Sequence, residues 1–99
     1  MVTEATRPQE DYRLGHRQRL RQRFINGGAS AVADYELLEI MLFAAHPRGD
    51  VKPLARRLLK HFGGDLGKVL AASPQQLAAV EGIGEAAIAA LKVAEVGAQ

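Results

Sequence analysis

The tripeptide Gly82-Ile83-Gly84 is the part of this 99-residue sequence whose residue types and spacing most clearly predict chemistry. Two glycines around one branched apolar residue allow a sharp turn and leave backbone N–H groups accessible. If a helix begins at Glu85, these N–H groups lie at its N-terminus, where the helix dipole also attracts anions. The sequence therefore predicts an anion site at this turn, and a DNA phosphate is the expected anion.

The segment from residue 77 to residue 85 resembles the helix-hairpin-helix motif of DNA-binding proteins. The resemblance implies that the two glycines shape a phosphate cradle and that Ile83 points inward and locks the hairpin to both helices. It also implies that the carbonyl groups of the turn can hold a monovalent cation. Glu81 and Glu85 depart from the motif, because carboxylates beside the cradle repel DNA. The alternative interpretation is a tight connection between two helices with no ligand.

Basic residues are concentrated near the N-terminus, although the formal net charge of the whole chain is only +2. Residues 1–26 hold six arginines against three acidic residues. A solvated helix face, a phosphate-binding face and a contact with an acidic protein surface are all compatible with this run. No aromatic residue lies between the arginines, so stacking of single-stranded bases is not predicted. The residues expected to attract DNA over a distance are Lys92, Arg19, Arg23, Arg56 and Arg57.

The elements that must position these residues are predicted to be helices. Alanine and leucine dominate the apolar residues, and aromatic residues make up only 5% of the chain. We expect a disordered tail over residues 1–12 and a helical domain over residues 13–99, an all-α compact bundle of five or six short helices. The predicted helices cover about 15–25, 34–45, 51–62, a short stretch after Asp65, 74–80 and 85–97, and the helix-hairpin-helix occupies about 74–97.

Two features of the predicted helices concern the interior. At 100° per residue, Arg17 and Arg21 fall within the apolar arc of the first helix. Their guanidinium groups must then reach solvent, pair with an acid or contact a partner. The second helix is apolar almost all round, which is typical of a central, buried helix. Glu36 and Glu39 lie in its first turns, where the helix dipole favours acids.

Several function classes are not supported by the sequence. The chain has no cysteine and no apolar run long enough to span a membrane, so we expect a cytoplasmic protein without membrane contact. His16, His46 and His61 are too far apart to form a short-range metal pair. We find no catalytic constellation and no phosphate-binding loop of the nucleotide-hydrolase type. We therefore expect a non-enzymatic chain with no side-chain metal site, no small-molecule substrate, and no cofactor apart from the monovalent cation that the hairpin resemblance implies.

The order of features from about residue 17 to residue 96 resembles the N-terminal domain of the RadC family of bacterial proteins. The sequence departs from the family pattern at Ala33, where serine is usual, and at Glu85 and Ala87, where proline and lysine are usual. The matching features are the arginine-rich Arg17–Phe24, the turn Gly27-Gly28, the helix start Asp34-Tyr35-Glu36-Leu37-Leu38, the loop 44–50, Leu54–Leu59 followed by Phe62-Gly63-Gly64, the step Ala72-Ser73, and Gly82-Ile83-Gly84.

This resemblance implies a role and a larger protein. RadC-like proteins continue into a JAB/MPN metalloprotease-like domain that binds zinc, so we expect this chain to be a domain of a longer protein or a natural short form. The first functional hypothesis is a non-catalytic, sequence-independent DNA-binding module with a role in DNA repair. The alternative is a protein-interaction or regulatory domain that contacts the C-terminal domain of the same protein. The apolar second helix and the acidic final segment favour this alternative.

Overall fold

Helices account for all of the regular secondary structure in the described part of the chain. The computed structural model describes the backbone of residues 8–98 and the side chains of residues 15–98. The prediction of an all-α bundle is confirmed. Six α-helices follow one another, with a short 3-10 turn between the first two: α1 Pro8–Gly27, α2 Asp34–Phe43, α3 Lys52–His61, α4 Leu66–Ala71, α5 Pro74–Ala78 and α6 Glu85–Gly97.

Helix α1 is longer than the sequence indicates, with 20 residues where about eleven are predicted. It begins at Pro8, whereas the sequence places the first helix at about residue 15, and residues 1–7 lie outside the described residues. Proline is favoured at the first position of a helix, and two acidic residues follow Pro8 in the sequence. The polar composition of this segment conceals these start signals.

Side chains at the starts of the later helices accept hydrogen bonds from the first free N–H groups. The Ser73 hydroxyl accepts a hydrogen bond from the Gln76 N–H, and the Gln76 side chain accepts one from the Ser73 N–H. Asp65 caps α4 by accepting a hydrogen bond from the Lys68 N–H. Asp50 accepts from the Lys52 N–H, so it tightens the first turn of α3 from one residue before the cap position. These local signals set the order and the spacing of the short helices.

The centre of the domain is helix α2, as its apolar composition predicts. It packs against α1, α3 and α6, while α4 and α5 lie against α6. The connection after α3 turns sharply at Gly63 and Gly64, both with positive φ, and the Gly64 N–H closes on the Leu59 carbonyl. No helix of the described part is long and apolar enough to cross a membrane. The largest fully buried apolar side chains are Leu20, Leu38, Leu42, Leu58, Leu77, Leu91 and Val69.

Arg17 is buried, and its guanidinium lies against the loop between α2 and α3. Its guanidinium donates hydrogen bonds to the carbonyl oxygens of His46 at 2.6 Å and Gly49 at 2.9 Å, with a longer contact of 3.4 Å to that of Phe43. It also lies 4.5 Å from the centre of the Phe43 ring. The arginine therefore holds the loop between α2 and α3 against α1.

Glu39, one of the two acids in the first turns of α2, is fully buried. Its Oε1 lies 3.3 Å from His16 Nε2, and its Oε2 has no hydrogen-bond partner among the described residues. Glu39 shares a helix face with Phe43, four residues further on, and this face packs on α1. Glu39 and His16 thus form a polar contact between α1 and α2.

Candidate nucleic-acid interface

The turn between α5 and α6 has the shape that the sequence predicts. Gly82 has φ of +93°, a conformation that side-chain-bearing residues rarely adopt. A Cβ atom at this position would also lie only 3.1 Å from Leu54 Cδ1. Ile83 is 7% exposed and belongs to the core, and its N–H donates to the Val80 carbonyl. Ile83 therefore points into the core and not toward a ligand.

The N-terminus of α6 has accessible backbone donors. Gly84 occupies the cap position, has no side chain to cap the helix, and accepts the first intrahelical hydrogen bond from the Ile88 N–H. The N–H groups in the first turn of a helix have no intrahelical acceptor, and here no side-chain cap supplies one. Glu85 and Ala86 are exposed in this turn. The arrangement can bind an anion, while the Glu85 carboxylate opposes it.

Arg57 joins the basic face of α3 to the hairpin. Its Nη1 donates a hydrogen bond of 2.9 Å to the Glu81 carbonyl, directly before the turn. The same nitrogen lies 3.2 Å from where a Cβ atom on Gly82 would stand. Apart from this bond, the guanidinium has no hydrogen-bond or ion-pair partner within the described residues, and its side chain is exposed. The remaining N–H groups of Arg57 can therefore contact a ligand.

An open groove of about 350 Å³ lies between the end of α3 and the start of the turn. Lys60 and His61 follow Arg57 at the i+3 and i+4 positions, so these three side chains share one face of α3. The i+4 spacing from Arg57 could have identified His61 as part of this site. From the sequence it is interpreted as an ordinary surface or packing histidine. The six lining residues are Arg57, Lys60, His61, Ala79, Val80 and Glu81.

Lys92, which the sequence places among the residues that attract DNA, contacts the end of α4. Its ammonium donates to the carbonyl oxygens of Leu70 at 2.9 Å and Ala72 at 2.7 Å, and it lies 2.7 Å from Glu95 Oε1. Three partners use all three N–H donors of a lysine. Lys92 therefore caps the C-terminus of α4 and attaches it to α6. The sequence does not reveal this because its carbonyl partners lie 20 and 22 residues away.

Three of the predicted arginines do not lie at the hairpin. Arg23 forms an ion pair of 2.8 Å with Glu36, and the Arg56 guanidinium lies 4.7 Å from the centre of the Tyr35 ring. Both contacts are at the start of α2. Arg19 lies over Gly15 of its own helix, where an added Cβ would be 2.9 Å from Nη1. Of the basic residues proposed from the sequence, the structure thus brings Arg57 to the hairpin.

The ion pair at the start of α2 changes the acidity of Glu36. Burial raises the pKa of this carboxyl, but hydrogen bonds from the Ala33 N–H and from Arg23 outweigh it, together with the charges of Arg23 and His16. The net result is a pKa below the ordinary value. Glu36 therefore stays charged, and it replaces the missing side-chain cap at Ala33 by accepting from its N–H at 2.8 Å.

The described residues offer no group of three or more histidine, cysteine or acidic side chains that could hold a metal ion. His16, His46 and His61 lie on α1, on the loop after α2 and at the end of α3. His16 contacts Glu39 and His61 contacts Phe62 at the edge of its ring.

Comparison with known proteins shows close relatives. Residues 13–89 match the family model described as UPF0758 N-terminal. The chain is 56% identical over 87 residues to UPF0758 protein SPO0054 of Ruegeria pomeroyi, covering 88% of this chain and 38% of the relative. It is 60% identical over 80 residues to a UPF0758 protein of Rhodobacter capsulatus, covering 81% and 37%. A UPF0758 protein of Fusobacterium nucleatum is 42% identical over 79 residues, covering 80% and 34%.

The chain thus spans little more than a third of the length of these relatives. No solved structure matches it. The match to the family model includes α2, α3, the groove and the turn, so the candidate interface lies within the region that the family shares.

Proposed function

The chain belongs to the UPF0758 family, whose N-terminal region is that of the RadC family, and we propose that this domain binds the phosphate backbone of DNA. One phosphate lies against the N–H groups at the start of α6, and the basic face of α3 binds the adjoining backbone. Such contacts carry no base information, so binding is independent of sequence. The role of the whole protein is proposed to lie in DNA repair.

The observation that carries this proposal is the hydrogen bond between Arg57 and the Glu81 carbonyl. It supports a single surface on which the N–H groups at the start of α6 and the basic side chains of α3 can bind the same DNA strand. An arginine binds phosphate with two parallel N–H donors, and Arg57 has donors left for this purpose. Lys60 adds a second positive charge on the same helix face.

The same bond bears on the monovalent cation that the hairpin resemblance implies. The Glu81 carbonyl, one of those available to such a cation, accepts a hydrogen bond from a charged guanidinium instead. A metal ion at this carbonyl would stand close to the positive charge of Arg57, so the residues do not fit it. We propose that Arg57 supplies the positive charge beside the turn.

The experiment is the binding of this chain to a short labelled duplex, followed by fluorescence anisotropy across a salt series. Each neutralised phosphate contributes about −0.9 to the slope of log affinity against log salt. We expect a slope equivalent to about three contacts. Lys60→Gln should weaken binding and reduce the magnitude of the slope by about 0.9. No binding at low salt would contradict the proposal.

The matched control is Arg48→Gln, which removes one exposed charge from the loop before α3. This loop lies at the start of α3, whereas the groove lies at its end, about 15 Å further along a ten-residue helix. The slope should stay that of the unaltered chain. Equal losses in both variants would show that net charge, and not this surface, governs binding.

A second function, protein interaction, is favoured by the outer face of α6. Val93 and Val96 are 70% and 66% exposed, although both are large apolar residues. Exposed apolar residues that lie together on a helix face are typical of interaction sites. Helix α2, which the sequence suggests for this role, is instead covered by α1, α3 and α6. Val93→Glu should abolish binding to the remainder of a full-length family member, measured by titration calorimetry, and leave DNA affinity unchanged.

A further inference from the structure

We infer that the groove beside the hairpin binds one unpaired nucleotide, so that the domain prefers DNA with an unstacked base over a continuous duplex. This inference rests on the proposed function, since the phosphate of that nucleotide is held by the same surface. It adds the class of DNA that the surface recognises.

The size of the groove fits a single nucleotide. Its volume of about 350 Å³ falls near the lower limit of small-molecule sites. A duplex presents its bases stacked inside, so a groove of this size can receive a base only when that base has left the stack. The groove is bounded by α3 on one side and by the end of α5 and the turn on the other.

The lining supplies groups for the phosphate and for the base of a nucleotide. Arg57 and Lys60 can bind the phosphate. Val80 forms an apolar wall, and the His61 imidazole offers a flat face on which a base can stack. The orientation of this imidazole is supported by Phe62, whose ring lies 4.9 Å away at 67° in an edge-on contact.

A contact with a base would explain why the acidic residue Glu81 lies in a DNA-binding surface. It lines the groove together with Arg57 and Lys60. A carboxylate repels a second phosphate but accepts a hydrogen bond from the exocyclic amino group of cytosine. The Glu81 carbonyl accepts a hydrogen bond from Arg57 and so positions the guanidinium. The Glu81 carboxylate is left to contact the base. The mixed charge of the groove thus suits a nucleotide better than a run of phosphates.

The test compares two duplexes with equal numbers of phosphates. One carries a single bulged cytosine, and the other carries an abasic residue at the same bulge. Stacking of one base on a flat side chain is expected to increase affinity roughly tenfold. The chain should therefore bind the cytosine bulge about tenfold more tightly than the abasic bulge. Equal affinity for the two bulges would overturn the inference and leave the proposed function standing.

A substitution in the groove tests whether the groove causes the preference for the cytosine bulge. His61→Ala should remove the tenfold preference for the cytosine bulge over the abasic bulge, because it removes the flat face on which the base stacks. His46→Ala is the matched control, because this histidine lies on the loop after α2. A preference that survives His61→Ala would overturn the assignment to the groove. Absence of binding to every DNA would overturn the proposed function and this inference together.

Discussion

Replacing Arg17 with methionine should destabilise the domain more than any surface arginine does. Methionine keeps the length and the apolar stem of the side chain but removes its donors. The change leaves the carbonyls of His46 and Gly49 without the guanidinium that binds them at 2.6 and 2.9 Å. It also removes the charge that lies 4.5 Å from the Phe43 ring. The loop between α2 and α3 then loses its attachment to α1.

The size of this effect follows from the contacts. Hydrogen bonds to charged groups contribute about 1.5–3 kcal/mol each, so the two short bonds of Arg17 together contribute about 3–6 kcal/mol. The contact of 3.4 Å to the Phe43 carbonyl adds little. Burying a guanidinium costs part of this gain, since Arg17 is only 8% exposed. We expect a net loss of about 3 kcal/mol, a large fraction of the ~5–15 kcal/mol typical of such a domain.

Urea unfolding monitored by circular dichroism measures this loss directly. Arg21→Met is the matched control, because Arg21 is exposed and lies farther from the Phe43 ring, at 5.9 Å. It should change the free energy of unfolding by less than about 0.5 kcal/mol. Amide hydrogen exchange in the loop 44–50 should quicken in the Arg17 variant. A loss below about 1 kcal/mol, equal to that of the control, would refute the structural role of Arg17.

Three further changes test the interior and the caps. Lys92→Met should lower the free energy of unfolding by about 2 kcal/mol, because two carbonyls at the end of α4 lose their donor. The control Lys68→Met, on the exposed side of α4, should change thermal unfolding little. Glu39→Met should leave urea stability unchanged or raise it, since an unsatisfied buried carboxylate oxygen disappears; a loss above about 2 kcal/mol would contradict this. Because the pKa of Glu36 lies below its ordinary value of 4.5, its contribution is present above that pH and is lost as pH falls through the lower folded pKa. The unfolding midpoint of Glu36→Gln should therefore vary less with pH in this acidic range than that of the unaltered chain.

The helix order could be predicted because its signals are local. Ser73 with Pro74, Asp65 and the glycine pairs each act within one turn of the chain, and the structure places helix boundaries beside them. The start of α1 was missed because a polar segment without apolar periodicity resembles a disordered tail. A proline followed by acids was the available signal at Pro8.

The partners of charged residues could not be predicted in the same way. Helical periodicity places Arg17 in the interior. It does not predict which carbonyls accept hydrogen bonds from Arg17, because these lie 26 to 32 residues away in the sequence. Lys92 was assigned to DNA for the same reason. Arg57 was included among the basic candidates, but only the fold brings it to the Glu81 carbonyl. Contacts between distant segments depend on packing that charge and spacing alone do not specify.

The most direct test of the DNA-binding surface is a titration of the isotope-labelled chain with a short duplex, followed by the amide signals in two-dimensional NMR spectra. The account predicts the largest shifts at Gly82, Gly84 and the first turn of α6, with smaller shifts at Arg57 and Lys60. Shifts confined to α1 or to the outer face of α6, with the turn unchanged at saturation, would contradict it.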